Sequence, residues 1–202
     1  MTTAGPATAI DARGLPFGGR ESRSPGRWGM ILVIATEASF FAYLLFAYFY
    51  LQSMANGWPP DGPPPLRVAL PNTALLVASS GAMWWAEASA RRGAQGALRL
   101  GLLLTFAMGA TFLAFQGVEW SRSAFGLTRG VYSSAFYFIT GFHGMHVAAG
   151  LLMIAVAEAR ALAGHFDARH HLAVSNTALY WHFVDAVWLV VFSSLYLAPR
   201  LV

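Results

Sequence analysis

Five apolar blocks, each at least 20 residues long, decide what this chain can fold into. They run over 28–51, 71–90, 98–120, 131–159 and 175–197. A helix needs roughly 20 residues to cross about 30 Å of hydrocarbon. Barrel strands are about 10 residues long and alternate in polarity, and none of these blocks alternates. In lipid every backbone N–H and C=O must be paired within the segment, so such blocks form helices. The expected fold is all-α: an integral membrane bundle of five transmembrane helices filling residues 28–202.

Composition narrows the function. Only 11% of the residues are charged and 56% are hydrophobic, against about 25% charged in a soluble domain. The absence of cysteine excludes a disulfide-stapled secreted module, iron–sulfur clusters, thiolate copper sites and cysteine-tethered haem. The net charge of +4 comes from 13 arginines placed between the apolar blocks. That placement suits membrane topology, and no nucleic-acid partner is expected.

Residues 1–27 are rich in Gly, Pro, Ala and Ser, carry four arginines and have no apolar core of a signal peptide. They read as a disordered or surface-lying cytoplasmic tail. The run Pro63-Pro64-Pro65 makes 52–70 a stiff loop, and Pro71 is expected to open the second helix. Arg91-Arg92-Gly93 reads as a tight turn, with further loops at 121–130 and 160–174. Arg13, Arg20, Arg23, Arg27, Arg91, Arg92, Arg99, Arg160 and Arg169 fall on one side of the bundle, and Arg67, Arg122, Arg129 and Arg200 on the other, nine against four. Basic residues favour the cytoplasmic side, so the N-terminus is expected inside and the C-terminus outside.

Ionisable groups inside a membrane are costly, so they carry the information. Glu37, His146 and Asp185 fall at depths that agree to within about one helical turn. His143/His146 and His182/Asp185 are spaced i, i+3 and share helix faces. Gly141, Gly144 and Ala148 near the histidines would let another helix approach closely. A buried polar network of Glu37, His143, His146, His182 and Asp185 that pins the bundle is the expected arrangement. Glu87 and Glu158 are expected to pair locally with Arg91 and Arg160. Gln116, Glu119, Trp120 and Arg122, at the outer end of the third span, are candidates for a lipid headgroup. The histidines with a carboxylate could instead surround zinc, iron or copper. The run His165-Phe166-Asp167-Ala168-Arg169-His170-His171 is similar to clusters of membrane di-iron oxygenases, but it is a single cluster and such a site needs six or more ligands. A histidine-ligated metalloenzyme is thus the remoter alternative. No metal site and no catalytic residue are assigned. Gly-rich phosphate loops, a Ser-His-Asp arrangement and carboxylate pairs suited to hydrolysis are not discerned.

Longer motifs then carry a family resemblance. They are Trp28-Gly29-Met30-Ile31-Leu32, Thr36-Glu37, Phe40-Phe41 and Phe115-Gln116-Gly117-Val118-Glu119-Trp120, followed by Thr140-Gly141-Phe142-His143-Gly144-Met145-His146-Val147, His165-Phe166 with His170-His171, and Tyr180-Trp181-His182-Phe183-Val184-Asp185-Ala186-Val187-Trp188-Leu189. From about residue 27 to 198 the chain resembles subunit III of the haem–copper terminal oxidases, most closely the cytochrome c oxidase branch. Five-span versions in quinol oxidases and in a nitric-oxide-reductase-associated branch are the alternative. Long members have seven spans and a lipid-filled cleft between the first two and the other five; only those five have counterparts here. The resemblance implies a cofactor-free accessory subunit that packs against oxidase subunits I and II. Haem and copper are then expected on those partners and bound phospholipid on this chain. It also implies support of proton uptake during oxygen reduction, and a multi-pass location, expected to be the bacterial plasma membrane. Glu37 falls at the family's buried carboxylate, and His143, His146, His182 and Asp185 at its polar positions.

Overall fold

The computed structural model describes residues 24–55, 57–60, 62–123 and 126–201. Most of the expected tail, residues 1–23 with Arg13, Arg20 and Arg23, lies outside them. Five long helices follow in order: α1 (Pro25–Ser53), α2 (Leu66–Arg91), α3 (Gln95–Arg122), α4 (Val131–Leu162) and α5 (Leu172–Phe192). A π-helical turn (Ser193–Leu197) and a short 3-10 turn (Ala198–Arg200) prolong α5. The described residues form an all-α five-helix bundle.

Local chemistry explains where the helices begin and end. Ser24 caps α1 by accepting the Arg27 amide at 3.3 Å, and Pro25 sits in the first turn, where its missing N–H has no partner to lose. Residues 25–27, expected in the tail, therefore belong to α1. The second helix starts at Leu66, so Pro71 lies inside α2 and does not open it. The physical reason is that a proline this near the start removes a single backbone hydrogen bond, and Leu66-Arg67-Val68-Ala69-Leu70 readily completes the preceding turn. The Arg91-Arg92-Gly93 turn is tight as expected. Gly93 takes φ +70°, and the Ala94 amide donates to Ser89 O at 3.0 Å, a closure that favours glycine.

Helices α2, α3, α4 and α5 form a closed ring, each packing on the next and α2 returning to α5; α1 leans on α4 and α5 from outside. Trp181 of α5, fully buried, sits where the ring converges. Its indole N–H donates to Ser79 Oγ of α2 at 3.0 Å, and its ring fills the space above Gly109 of α3 and Gly150 of α4. A Cβ on those glycines would stand 2.5 and 2.9 Å from ring carbons. Gly101 of α3 makes the α2 contact, where a Cβ would reach 2.8 Å from that of Ala86. The close backbone approach thus falls at Gly101, while Gly109 and Gly150 make room for the Trp181 ring. Gly141 and Gly144 meet only side-chain atoms of Trp120 and Leu113, at 3.3 and 3.7 Å.

Among the described residues four helical stretches are long and apolar enough to cross a membrane: α1, α3, α4 and Leu172–Arg200. Helix α2 falls short of that measure. Its buried face carries Asn72, Thr73, Ser79 and Ser89, and the first three bond to neighbouring helices: the Asn72 amide donates to Phe112 O at 3.1 Å, Thr73 Oγ1 accepts the Trp188 indole at 2.9 Å, and Ser79 accepts that of Trp181.

Candidate functional site

Glu37 and His146 meet across the α1–α4 contact. Glu37 Oε2 lies 3.0 Å from His146 Nε2, and His146 Nδ1 lies 2.8 Å from Phe142 O one turn earlier. A carbonyl only accepts, so Nδ1 carries a hydrogen. The Nε2–Oε2 contact then holds one proton, on the ring or on the carboxyl, and the pair is neutral overall in either form. Phe41 stands edge-on to the imidazole at 5.2 Å, and the Tyr180 hydroxyl donates to His146 O at 3.4 Å. The histidine side chain is 8% exposed and the glutamate 32%, so the carboxylate sits toward the outer side of the bundle.

A second cluster joins α2 to α5. His182 and Asp185 share one face of α5 as their spacing predicts, and Ser80 of α2 links them. Ser80 Oγ lies 3.0 Å from His182 Nδ1 and donates to Asp185 Oδ2. Sequence reasoning missed Ser80. The available signal was Ser79-Ser80 within an otherwise apolar helix, two hydroxyls with nothing local to solvate them. The three residues do make a serine–histidine–aspartate arrangement, contrary to expectation, but not a nucleophilic one. The hydroxyl lies between the ring and the carboxylate and donates to the carboxylate, whereas in a nucleophilic triad the imidazole stands in the middle and takes the hydroxyl proton.

His143 joins neither cluster. It is fully buried, its ring nitrogens have no hydrogen-bond partner, and it lies 4.8 Å from the Trp188 ring at a tilt of 31°, with Phe112 edge-on at 5.9 Å. The five expected network residues therefore divide between an α1–α4 pair, an α2–α5 cluster and a lone imidazole in an aromatic cage. Among the described residues no three His, Cys, Asp or Glu side chains are grouped so as to hold a metal ion.

Gln116 and Glu119 are buried on the inner face of α3. The Gln116 amide donates to Glu119 Oε2 at 3.3 Å, and the Tyr196 side chain lies against both. Trp120 turns toward α4, with its ring 5.6 Å from that of Tyr137, while Arg122 is exposed. Of the four headgroup candidates, only Arg122 is freely accessible. At the opposite end Glu87 pairs with Arg91 at 2.7 Å as expected. Glu158 instead pairs with Arg99 of α3 at 3.4 Å, since Arg160 swings over the Phe166 ring at 5.2 Å.

The histidine-rich loop is built around Asp167. Its carboxylate accepts the Arg169 and His170 amides, both at 2.7 Å, and lies 3.0 Å from His170 Nδ1. The His170 ring, followed by those two amides, holds the Asp167 carboxyl at about 2, below its ordinary value of 3.8. Gln95 anchors the loop by donating to Phe166 O at 2.7 Å.

Residues 21–199 match the family described as cytochrome c oxidase subunit III. The cytochrome c oxidase subunit 3 of Mus musculus is 38% identical over 178 residues, covering 84% of this chain and 68% of the relative. That of Formosania lacustris is 39% identical over 178 residues, with the same coverage. That of Synechocystis sp. is 39% identical over 173 residues, covering 84% of this chain and 74% of the relative.

Proposed function

The chain belongs to the cytochrome c oxidase subunit III family, and from that premise we propose that its polar residues brace a helix bundle that steadies the catalytic subunit of the oxidase. Membership makes it a multi-pass membrane subunit of the respiratory terminal oxidase, accessory and itself non-catalytic, associated with the other subunits of that complex. The observation that carries the bracing role is the pattern of its buried polar contacts. Glu37 with His146 and Ser80 with Asp185 each span two helices, and the groups do not converge on one reacting centre.

The finer reading follows from that. Subunits I and II are the partners, and they hold the haem and copper. Helix α2 is the fifth crossing, its buried polar side chains turned toward its neighbours, and the arginine bias sets the N-terminus inside. Phospholipid lies along the outer face of α1, where Trp28, Tyr43 and Phe46 are exposed, with Arg122 reaching the headgroup region at the other end of α3. Support of proton uptake is indirect, through the stability of the catalytic subunit, and the membrane is the bacterial plasma membrane. Purifying the oxidase with and without this chain tests the reading. The haem spectrum and the initial turnover are expected to match, while the complex lacking the chain inactivates sooner during turnover and carries less phospholipid. A changed haem spectrum, or equal lifetimes, would refute it.

A further inference from the structure

His143 of α4, left out of both polar clusters, is fully buried, and among the described residues neither of its ring nitrogens has a hydrogen-bond partner. In either tautomer a neutral imidazole carries one N–H donor and one lone-pair acceptor, so its need does not depend on where the proton sits. Asn72 of α2, 2% exposed, has a matching shortfall. Its amide donates to Phe112 O, a group that only accepts, so Nδ2 is fixed there. Oδ1 is then the atom left without a donor.

Both residues flank Phe112 of α3, whose carbonyl takes the Asn72 amide and whose ring stands edge-on to His143 at 5.9 Å. Trp188 of α5 lies 4.8 Å from the His143 ring and 4.9 Å from that of Phe112, and its indole N–H reaches Thr73, the neighbour of Asn72. The hydroxyls close by are already spent as donors: the Thr73 proton goes to Ala69 O and the Thr140 proton to Phe136 O. A polar group taken out of water without a hydrogen bond is costly, and nearly all buried polar groups in folded proteins have a partner. The missing partner must donate to an amide oxygen, bond to an imidazole and fit inside a closed bundle. An acyl chain offers no hydrogen bond, and among the described residues no three His, Cys, Asp or Glu side chains gather for a metal.

We propose that a buried water molecule is bound between His143 and Asn72, donating one proton to Asn72 Oδ1 and hydrogen-bonded to a ring nitrogen of His143. Water both donates and accepts, and buried waters typically make about three bonds to polar groups that the protein leaves unpaired. Helices α2 and α4 lie across the ring from each other, each packed on α3 and α5, so the water ties the ring along a diagonal that helix packing does not close. The site belongs to the bundle itself and stands whether or not the chain serves an oxidase.

The test uses the full chain, purified through its own tag with whatever subunits accompany it, and a density map fine enough to show ordered water. The wild-type map is expected to hold a peak about 2.7–3.2 Å from both a His143 ring nitrogen and Asn72 Oδ1. Asn72→Leu and His143→Phe should each abolish it. Thermal midpoints add a second reading. His143→Phe should lower the midpoint of the wild-type chain and leave that of the Asn72→Leu variant unchanged, because the bridge is already broken there. A wild-type map in which carbon atoms alone surround both ring nitrogens, or in which His143 touches Asn72 directly, overturns the proposal. So does a His143→Phe chain that melts higher than wild type, the result expected of an imidazole with no partner at all. Should a variant fail to fold, the wild-type map decides alone.

Discussion

Glu37 Oε2 and His146 Nε2 stand 3.0 Å apart, and this contact joins the outlying helix α1 to the closed ring of the other four. Few buried side chains do so otherwise: of the 29 residues of α1, Phe41 and Tyr48 are the buried ones. A helix held by so little packing leans on its polar contact. Glu37→Gln keeps a donor for Nε2, so the haem spectrum of the oxidase and its thermal midpoint should stay close to wild type. Glu37→Leu strands the His146 nitrogen and should cost about 1–3 kcal/mol, read as a lower midpoint for the purified complex. Equal midpoints for the two variants would show that the contact does not hold α1.

The Trp181 wedge gives a prediction about packing. Gly109→Ala puts a methyl group 2.5 Å from the indole, and overpacking of this kind typically costs about 1–3 kcal/mol. Gly150→Ala, at 2.9 Å, should behave alike. Gly117→Ala, where nothing lies within 4 Å, should be neutral or stabilise the helix by up to about 1 kcal/mol. Thermal unfolding in one detergent, monitored by helix content, compares the three.

Asp167 makes the histidine-rich loop sensitive to acid. Its folded value of about 2 lies below the ordinary 3.8, so the carboxylate's contribution to loop order is complete at neutral pH, begins to fall as pH drops below the ordinary value, and is gone below about 2. The Arg169 and His170 amide resonances, whose protons point at this carboxylate, should shift with a midpoint near 2. Asp167→Asn should abolish that titration. A midpoint near 4 would mean that the His170 ring does not hold the carboxylate.

The helices were legible because apolar run length alone requires them in lipid, and the i, i+3 spacing of His182 and Asp185 correctly placed both on one face. The partners were harder to read, since spacing along one helix says nothing about the helix opposite. Ser80 lies 105 residues from Asp185, and a serine in an apolar run carries little signal by itself. Glu158 illustrates the converse. Arg160, two residues away, looked the natural partner, but side chains two apart point in different directions on a helix, and Arg99 of α3 takes the place. Pro71 misled for a related reason: proline is favoured at the start of a helix but is also tolerated nearby.

The α2–α5 cluster offers a measurement that separates a true three-residue unit from coincident neighbours. Asp185→Ala removes the acceptor of the Ser80 hydroxyl and should cost about 1–3 kcal/mol, with reduced assembly of the oxidase. Ser80→Ala leaves both Asp185 and His182 Nδ1 without their shared partner and should cost a similar amount. If the hydroxyl is the bridge, the double variant loses little beyond either single one, because the second substitution removes a group already stranded. The coupling energy should then fall in the range of about 0.5–3 kcal/mol typical of residues in contact. Independent, additive losses would show that the side chains stabilise α2 and α5 separately, and the bracing role would then rest on the Glu37–His146 contact alone.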